Sequence, residues 1–469
     1  MAVSAADVSG QTFANLHSFT VTSDVSSTNS DGAAPVGRLV LSGNFLYGTA
    51  EEGGAWGDGA VFGVGIGGAG FTNLHSFTTI SGPYYTNSDG ANPDGGLVLA
   101  GGILYGTAGS GGSSGYGVVF SIHTDGTSFT NLHGFSNSDG AYPYGSLTIS
   151  GNTLYGTTYG GGNAGSGTVF RLKTDGSAFT NLHSFAAGSY SSVYYINRDG
   201  ANPDSGLILS NNTLYGTAYS GGTGGAGTVF SLQTDGSGFT NLHFFTAATN
   251  APYTNGDGAY PHAGLILVGN SLYGTTLGGG ASAGGTVFRI NTDSSGFTNL
   301  HSFTATLPPA YSNGDGSEPD AGLFLSGNTM YGTASSGGSS GDGVVFSVNT
   351  IGEGFAVLYS FPGVNGGASP GGDLILSNNI LYGTTIEGGS AGNGMAFSLF
   401  VVQPLAIARS GTNVILTWPT NATGLSLHFT TNLLGTNWSA NLPAPIVING
   451  QNTVTNSISS ARMFYRLSP

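Results

Sequence analysis

The stretch "DGANPDSGLILSNNTLYGTAYSGGTGGAGTVFSLQTDGSGFTNLHFF", Asp199 to Phe245, contains four short runs that read as β-strands. They are Gly206 to Ser210, Thr213 to Ala218, Gly227 to Gln233 and Phe239 to Phe245. Each is too short, and too rich in Gly, Thr, Val, Phe and Tyr, for a helix, and turn residues bound it. Asn211 and Asn212 separate the first two runs by the two residues of a tight hairpin. "TDGSG" joins the last two with the Asp and Gly that turns favour. The stretch therefore encodes a four-stranded antiparallel sheet.

Close copies of it fill most of the chain. The tetrapeptide "LYGT", or a near copy, places tyrosines at 47, 105, 155, 215, 273, 331 and 382, which defines seven units. Four antiparallel strands repeated at this period predict a β-propeller, since solenoids of similar repeat length include helices. The phase of the repeat predicts closure. A fourth-strand sequence, "FANLHSF" (Phe13 to Phe19), precedes the first "LYGT", and the repeats end on a third strand, "GMAFSLF" (Gly394 to Phe400). Pairing those two completes the last blade.

The expected fold is all-β, a seven-bladed β-propeller over residues 1–401 followed by a small β-sandwich over 402–469. In the second segment Pro404 follows the last repeat strand, and "NVILTWP", "LSLHFTTNL" and "MFYRLSP" read as short strands. That segment resembles the fibronectin-III-like module that ends many secreted bacterial proteins, whose plain role is a spacer or attachment.

Composition removes several function classes. The 469 residues carry 23 Asp plus Glu against 8 Lys plus Arg, a formal charge of −15. Nucleic acid needs a basic stripe, and none exists; an anionic membrane surface is disfavoured for the same reason. No apolar run approaches the ~18 residues of a spanning helix. Zero cysteines exclude disulfides, thiolate metal sites and cysteine nucleophiles. The opening "MAVSAADVSG" has neither a charged n-region nor an apolar h-region. Either the protein stays inside, or a leader was removed and Met1 added. The lysine-poor surface, rich in Asn, Thr, Ser and Gly, favours the second, an extracellular or cell-surface location.

The pattern "G-[LI]-x-[LI]-S-G-N-x-LYGT-[TA]…GG…G-[TV]-V-F", over roughly residues 13 to 400, resembles the Gloeo-Verruco (GloVer) tandem repeat of bacterial proteins. The resemblance implies secretion. It brings no catalytic residue and no ligand.

Propeller topology puts the fourth-to-first and second-to-third connections on one face, and both are the long ones here. The former carry "N-x-D-G-x-x-P", with Asn87/Asp89, Asn197/Asp199, Asn255/Asp257 and Asn313/Asp315 among the copies. Two oxygen ligands before a Gly suit calcium, and equally an Asx turn. Asp94, Asp204 and Asp320 follow the loop proline in only three of the units, so no regular acid completes a metal site. Six fourth strands carry a histidine at 17, 75, 133, 183, 243 and 301. In the seventh copy Tyr359 replaces the histidine and Gly367 replaces the aspartate together, which predicts a structural Asp–His hydrogen bond within each unit.

Tyr85, Tyr195, Tyr253 and Tyr311 each lie two residues before the loop Asn. They could stack on sugar faces while Asn and Asp bond hydroxyls, or pack between loops. A single active site must break the repeat, and the unrepeated acids Glu51, Glu52, Asp342 and Glu387 share the sector of units six, seven and one. Two of them could serve a glycosidase, or all could be solvated loop acids. The reading is a non-catalytic protein that recognises neutral glycans or a cell-surface polymer. A polysaccharide-degrading enzyme and a purely structural surface protein are the alternatives, and the oligomeric state is left open.

Overall fold

The computed structural model describes residues 12–401 except 24–25, 192–193, 248–252 and 310. Beyond these it describes residues 405–419, 426–431, 438–440, 442–448, 451–457 and 463–468. The opening decapeptide and Pro404 lie outside the described residues.

The chain is all-β, and its repeats fold as four-stranded antiparallel sheets in a propeller-like arrangement. Among the described residues there are seven such sheets in the repeat region, and no α-helix. In unit four the strands are Ile208–Ser210, Thr213–Ala218, Thr228–Gln233 and Thr240–Phe244, hydrogen-bonded in that order. The first strand is shorter than its sequence suggests. Gly206 runs close to the preceding unit, where an added Cβ would lie 3.2 Å from the Ser146 carbonyl oxygen. A second hairpin, Ser189–Ser191 with Tyr194–Ile196, stands in a loop whose sequence had no strand signal in the repeat frame.

The repeated tetrapeptide has a separate task for each residue. In unit one Leu46 is fully buried, and the ring of Tyr47 packs against the core of the next unit. Gly48 cannot be larger: a Cβ would lie 2.8 Å from the Phe62 ring and 2.7 Å from Leu39. Thr49 Oγ1 donates to the Gly95 carbonyl of unit two at 3.1 Å. Thr107, Thr157, Thr217 and Thr275 reach the following unit in the same way, at 2.9–3.2 Å. Each buried hydroxyl therefore ties neighbouring inner strands together.

The histidines tie the outer strands. His17, His75, His133, His183, His243 and His301 stack on Phe71, Phe129, Phe179, Phe239, Phe297 and Phe355, with centroids 3.7–3.9 Å apart. Every partner immediately precedes the fourth strand of the next sheet. Where histidine is missing, Tyr359 stacks on Phe13 at 4.2 Å, which carries the series into the strand that also holds His17. That strand, Phe13–Ser18, pairs antiparallel with Met395–Phe400 in the register Phe13↔Leu399 to Ser18↔Met395. The circuit of contacts thus returns to its start. Phe19, Phe77, Phe135, Phe185, Phe245, Phe303 and Phe361 are all fully buried between sheets, each contributing about 2–3 kcal/mol of burial.

Beyond the repeats, Ala406–Ser410, Asn413–Pro419, Gln451–Ser457 and Ile446–Ile448 form one sheet in that spatial order, and Ser426–Thr430 pairs with Phe464–Ser468. Leu416, Trp418, Leu427, Val454 and Leu467 make its core. The Arg466 guanidinium lies 4.2 Å from the centroid of the Trp438 ring.

Candidate functional site

The loop asparagines are consumed by the backbone. Asn87 Oδ1 accepts from the amides of Gly90 at 2.9 Å and Gly112 at 2.8 Å, while its Nδ2 donates to the carbonyls of Thr78 and Gly90 at 2.6 Å. Asn29, Asn197, Asn255 and Asn313 repeat this four-bond pattern, joining the two long loops of their unit. The aspartates are engaged likewise. His75 Nε2 lies 3.0 Å from Asp89 Oδ2, which also accepts from the Thr78 amide at 3.1 Å. The Asp31, Asp139, Asp199, Asp257 and Asp315 pairs are 2.8–3.2 Å. These are the expected Asp–His pairs. The oxygens considered for calcium face N–H and O–H donors, and among the described residues no three acid or histidine groups converge on a metal-sized point.

Burial works against the charge on Asp31, Asp89, Asp257 and Asp315, but hydrogen bonds from histidine and threonine outweigh it and hold these carboxyls below their ordinary range. A folded value below the unfolded one adds stability above the ordinary aspartate range and loses it as pH falls below that range. Asn255→Ala leaves two amides without an acceptor and two carbonyls without a donor. It is expected to lower stability by about 3 kcal/mol, measured as a reduced urea midpoint.

The inner strands surround a cavity of about 670 Å³, and its wall is where the units differ. The residue after the repeated loop proline is Val36, Asp94, Tyr144, Asp204, His262, Asp320 or Gly371 in turn, and the residue following it is always Gly, Ser or Ala. All of these line the cavity, and Glu51, Arg38, Asp373 and Tyr159 add to the wall. His262 Nε2 is 3.4 Å from Asp204 Oδ2, and its Nδ1 is 3.4 Å from the Asp320 carbonyl oxygen. Asp204 is 8% exposed. The Oδ1 atoms of Asp204 and Asp320 are buried with no hydrogen-bond partner among the described residues.

Burial pushes the Asp204 carboxyl up to about 6 and Asp320 up to about 7, each restrained by His262. Burial opposes the charge on His262, but Asp204 and Asp320 outweigh it and raise its pKa. Burial and Glu51 push Asp94 well up, while burial and Glu52 raise Glu51. Burial, with Asp94 nearby, takes the Tyr144 hydroxyl to about 12.

Beside this mouth opens a second cleft of about 390 Å³, lined by Tyr159, Tyr190, Tyr194, Tyr195, Tyr219 and Tyr260 with Ser166, Asn202 and Ser220. Tyr159 borders both spaces. The rings support one another: Tyr144–Tyr159 centroids are 5.7 Å apart, Tyr219–Tyr260 5.2 Å and Tyr190–Tyr195 5.4 Å, and Tyr219 meets His262 edge-on at 5.8 Å.

Of the tyrosines singled out from sequence, only Tyr195 belongs to this cleft; its hydroxyl accepts from the Gly188 amide at 2.7 Å. Tyr85, Tyr253 and Tyr311 sit on exposed loops with φ of 54°, 60° and 50°. Glu51 turns to the cavity with Asp94, whereas Glu52 and Glu387 are exposed. Asp342 and Glu387 flank one segment, their backbones bonding Ser369 and Ala368. Sequence reasoning missed Tyr144, Tyr159, Tyr219, Tyr260 and His262 as site residues. For Tyr144 and His262 the available signal was the change of chemistry after a constant proline; Tyr159, Tyr219 and Tyr260 carried no such signal.

Four-stranded repeats set side by side around a wall of variable residues define a propeller-like repeat protein. The chain belongs to the Gloeobacter/Verrucomicrobia repeat family, which residues 5–196 and 187–397 match. No curated protein matches it. Among solved structures it is similar to an oligogalacturonate lyase from Vibrio parahaemolyticus, at 9% identity and a TM-score of 0.48, over 83% of this chain and 97% of that one. It is also similar to the GH74 enzyme of Niastella koreensis, at 16% identity and a TM-score of 0.43, over 92% of this chain and 64% of that one. A chain of a nidogen/laminin complex matches at 14% identity and a TM-score of 0.36, over 58% of this chain and 81% of that one. Likenesses this distant carry no argument about chemistry.

Proposed function

We propose that this chain is an extracellular glycan-binding protein, a closed seven-bladed β-propeller carrying a fibronectin-III-like attachment module. One observation carries the reading: six tyrosines surround a cleft of about 390 Å³ whose polar lining is Ser and Asn. Aromatic faces accept the apolar faces of sugar rings, and uncharged amides and hydroxyls bond their hydroxyls. The lysine-poor surface and the repeat family support the extracellular location.

The test is a titration of neutral oligosaccharides followed by calorimetry, with reducing-sugar release assayed in parallel. Tyr219→Ala is expected to weaken binding about tenfold, the usual consequence of truncating an aromatic anchor. Binding is expected to survive EDTA, because the loop Asn oxygens already accept backbone amides. Turnover lost on substituting Glu51 or Asp204 would replace this reading with a polysaccharide-degrading enzyme. Absence of binding to any glycan would leave a structural surface protein.

A further inference from the structure

The mouth of the central cavity gathers carboxyl groups that His262 offsets only in part. Glu51, Asp94, Asp204, Asp320 and Asp373 line one open cavity, and among the described residues Arg38 is the one permanent cation in its wall. Among the described residues His262 is the one imidazole in that wall, and it faces Asp204 at 3.4 Å. Buried carboxylates are ordinarily paired or fully hydrogen-bonded. Among the described residues Asp204 and Asp320 each retain a buried oxygen without a partner, whereas Asp89 in a repeat loop accepts from His75 and Thr78. A wall built this way is completed by a ligand that brings positive charge and N–H donors.

The shape of the cluster selects the kind of cation. The acids come from separate units around the channel, and among the described residues no three groups meet closely enough to hold a metal ion. An ammonium group instead directs several N–H bonds outward and is attracted to aromatic faces. Tyr144 and Tyr159 line the same wall as Asp94 and Asp204, and Tyr219 packs edge-on to His262.

We propose that the channel mouth is the ammonium subsite of the tyrosine cleft, and that it receives the protonated amino group of an amino-sugar residue between Asp204 and Asp320. This rests on the glycan-binding reading of the cleft. A sugar ring held by Tyr159 and Tyr219 has its amino substituent beside the carboxylates, because Tyr159 borders both spaces. Glycans without an amino group occupy the cleft alone.

The experiment compares a short β-1,4-linked glucosamine oligomer with its fully N-acetylated counterpart, by calorimetry on the full chain at neutral pH and low salt. The glucosamine oligomer is expected to bind at least about tenfold more tightly, the scale of a hydrogen bond to a charged group. In the Asp204→Asn/Asp320→Asn variant the ratio of the two affinities falls to about one, and added salt reduces it in the parent protein. Equal affinities in the parent, or a preference that survives the double substitution, overturn the ammonium subsite. If both oligomers bind equally and Tyr219→Ala weakens both, the cleft stands and the subsite falls. If neither binds, the glycan reading falls with it.

Discussion

Replacing both Asp204 and Asp320 by asparagine is expected to make the protein more stable near neutral pH, by about 3 kcal/mol. The reasoning is one of linkage. Burial raises the two carboxyls from 3.8 to about 6 and about 7 in the folded chain. Between those limits the native state holds protons that the unfolded state has released, so the unfolding free energy falls as pH rises. Each tenfold gain in proton affinity on folding corresponds to about 1.4 kcal/mol, and the coupling to His262 reduces the simple total. His262 acts with the same sign, since its own pKa is raised. The loop aspartates act oppositely and at lower pH, because theirs are depressed.

The wild-type stability curve, obtained by urea denaturation across pH, should therefore rise as the loop aspartates ionise and decline from about pH 4 to about pH 7. In the double variant the decline should flatten. A variant less stable than the parent at neutral pH, or a parent curve level across that window, would show that the carboxylates are compensated after all. A site kept at the expense of stability is the usual mark of function.

The second large effect concerns the strand Phe13–Ser18. Removing the chain up to Phe19 deletes the register with Met395–Phe400, takes Leu16 and Phe19 out of a core cluster with Leu39, Leu46 and Phe62, and breaks the stacks of Phe13 and His17. Loss of Phe19 alone is on the scale of about 3–5 kcal/mol, and the bared strand is a template for edge-to-edge association. The truncated protein is expected to lose its cooperative thermal transition and to aggregate. Phe19→Ala in the full chain gives a graded version, a lower melting temperature without loss of folding. A truncated protein that melts cooperatively at the parental temperature would mean that the strand is dispensable.

Much of this architecture is legible in the sequence because repetition amplifies weak signals. One four-residue strand is ambiguous, but seven copies of "LYGT" in phase are not. The Asp–His pairs are readable from a single coincidence, the joint loss at Tyr359 and Gly367. The channel wall is not readable. Asp94, Asp204, His262 and Asp320 lie at least 58 residues apart (the difference between 204 and 262) and share one cavity only because the sheets return to their start. In sequence, three aspartates after proline resemble an incomplete metal motif. The tyrosines mislead for a related reason. Tyr85, Tyr253 and Tyr311 share a local motif, whereas Tyr159, Tyr219 and Tyr260 come from different loops and become neighbours only through packing between units.

The residue after the repeated proline has a consequence for how such proteins diversify. Its neighbours are committed to inter-unit bonds and tight packing, so the frame tolerates little change there. This position lines the cavity in every unit and holds valine, glycine, tyrosine, histidine or aspartate, and the residue two further on, which is Arg38 in unit one and Asp373 in unit seven, lines it too. Changes at these positions alter the chemistry of the wall while the threonine bonds between units stay in place.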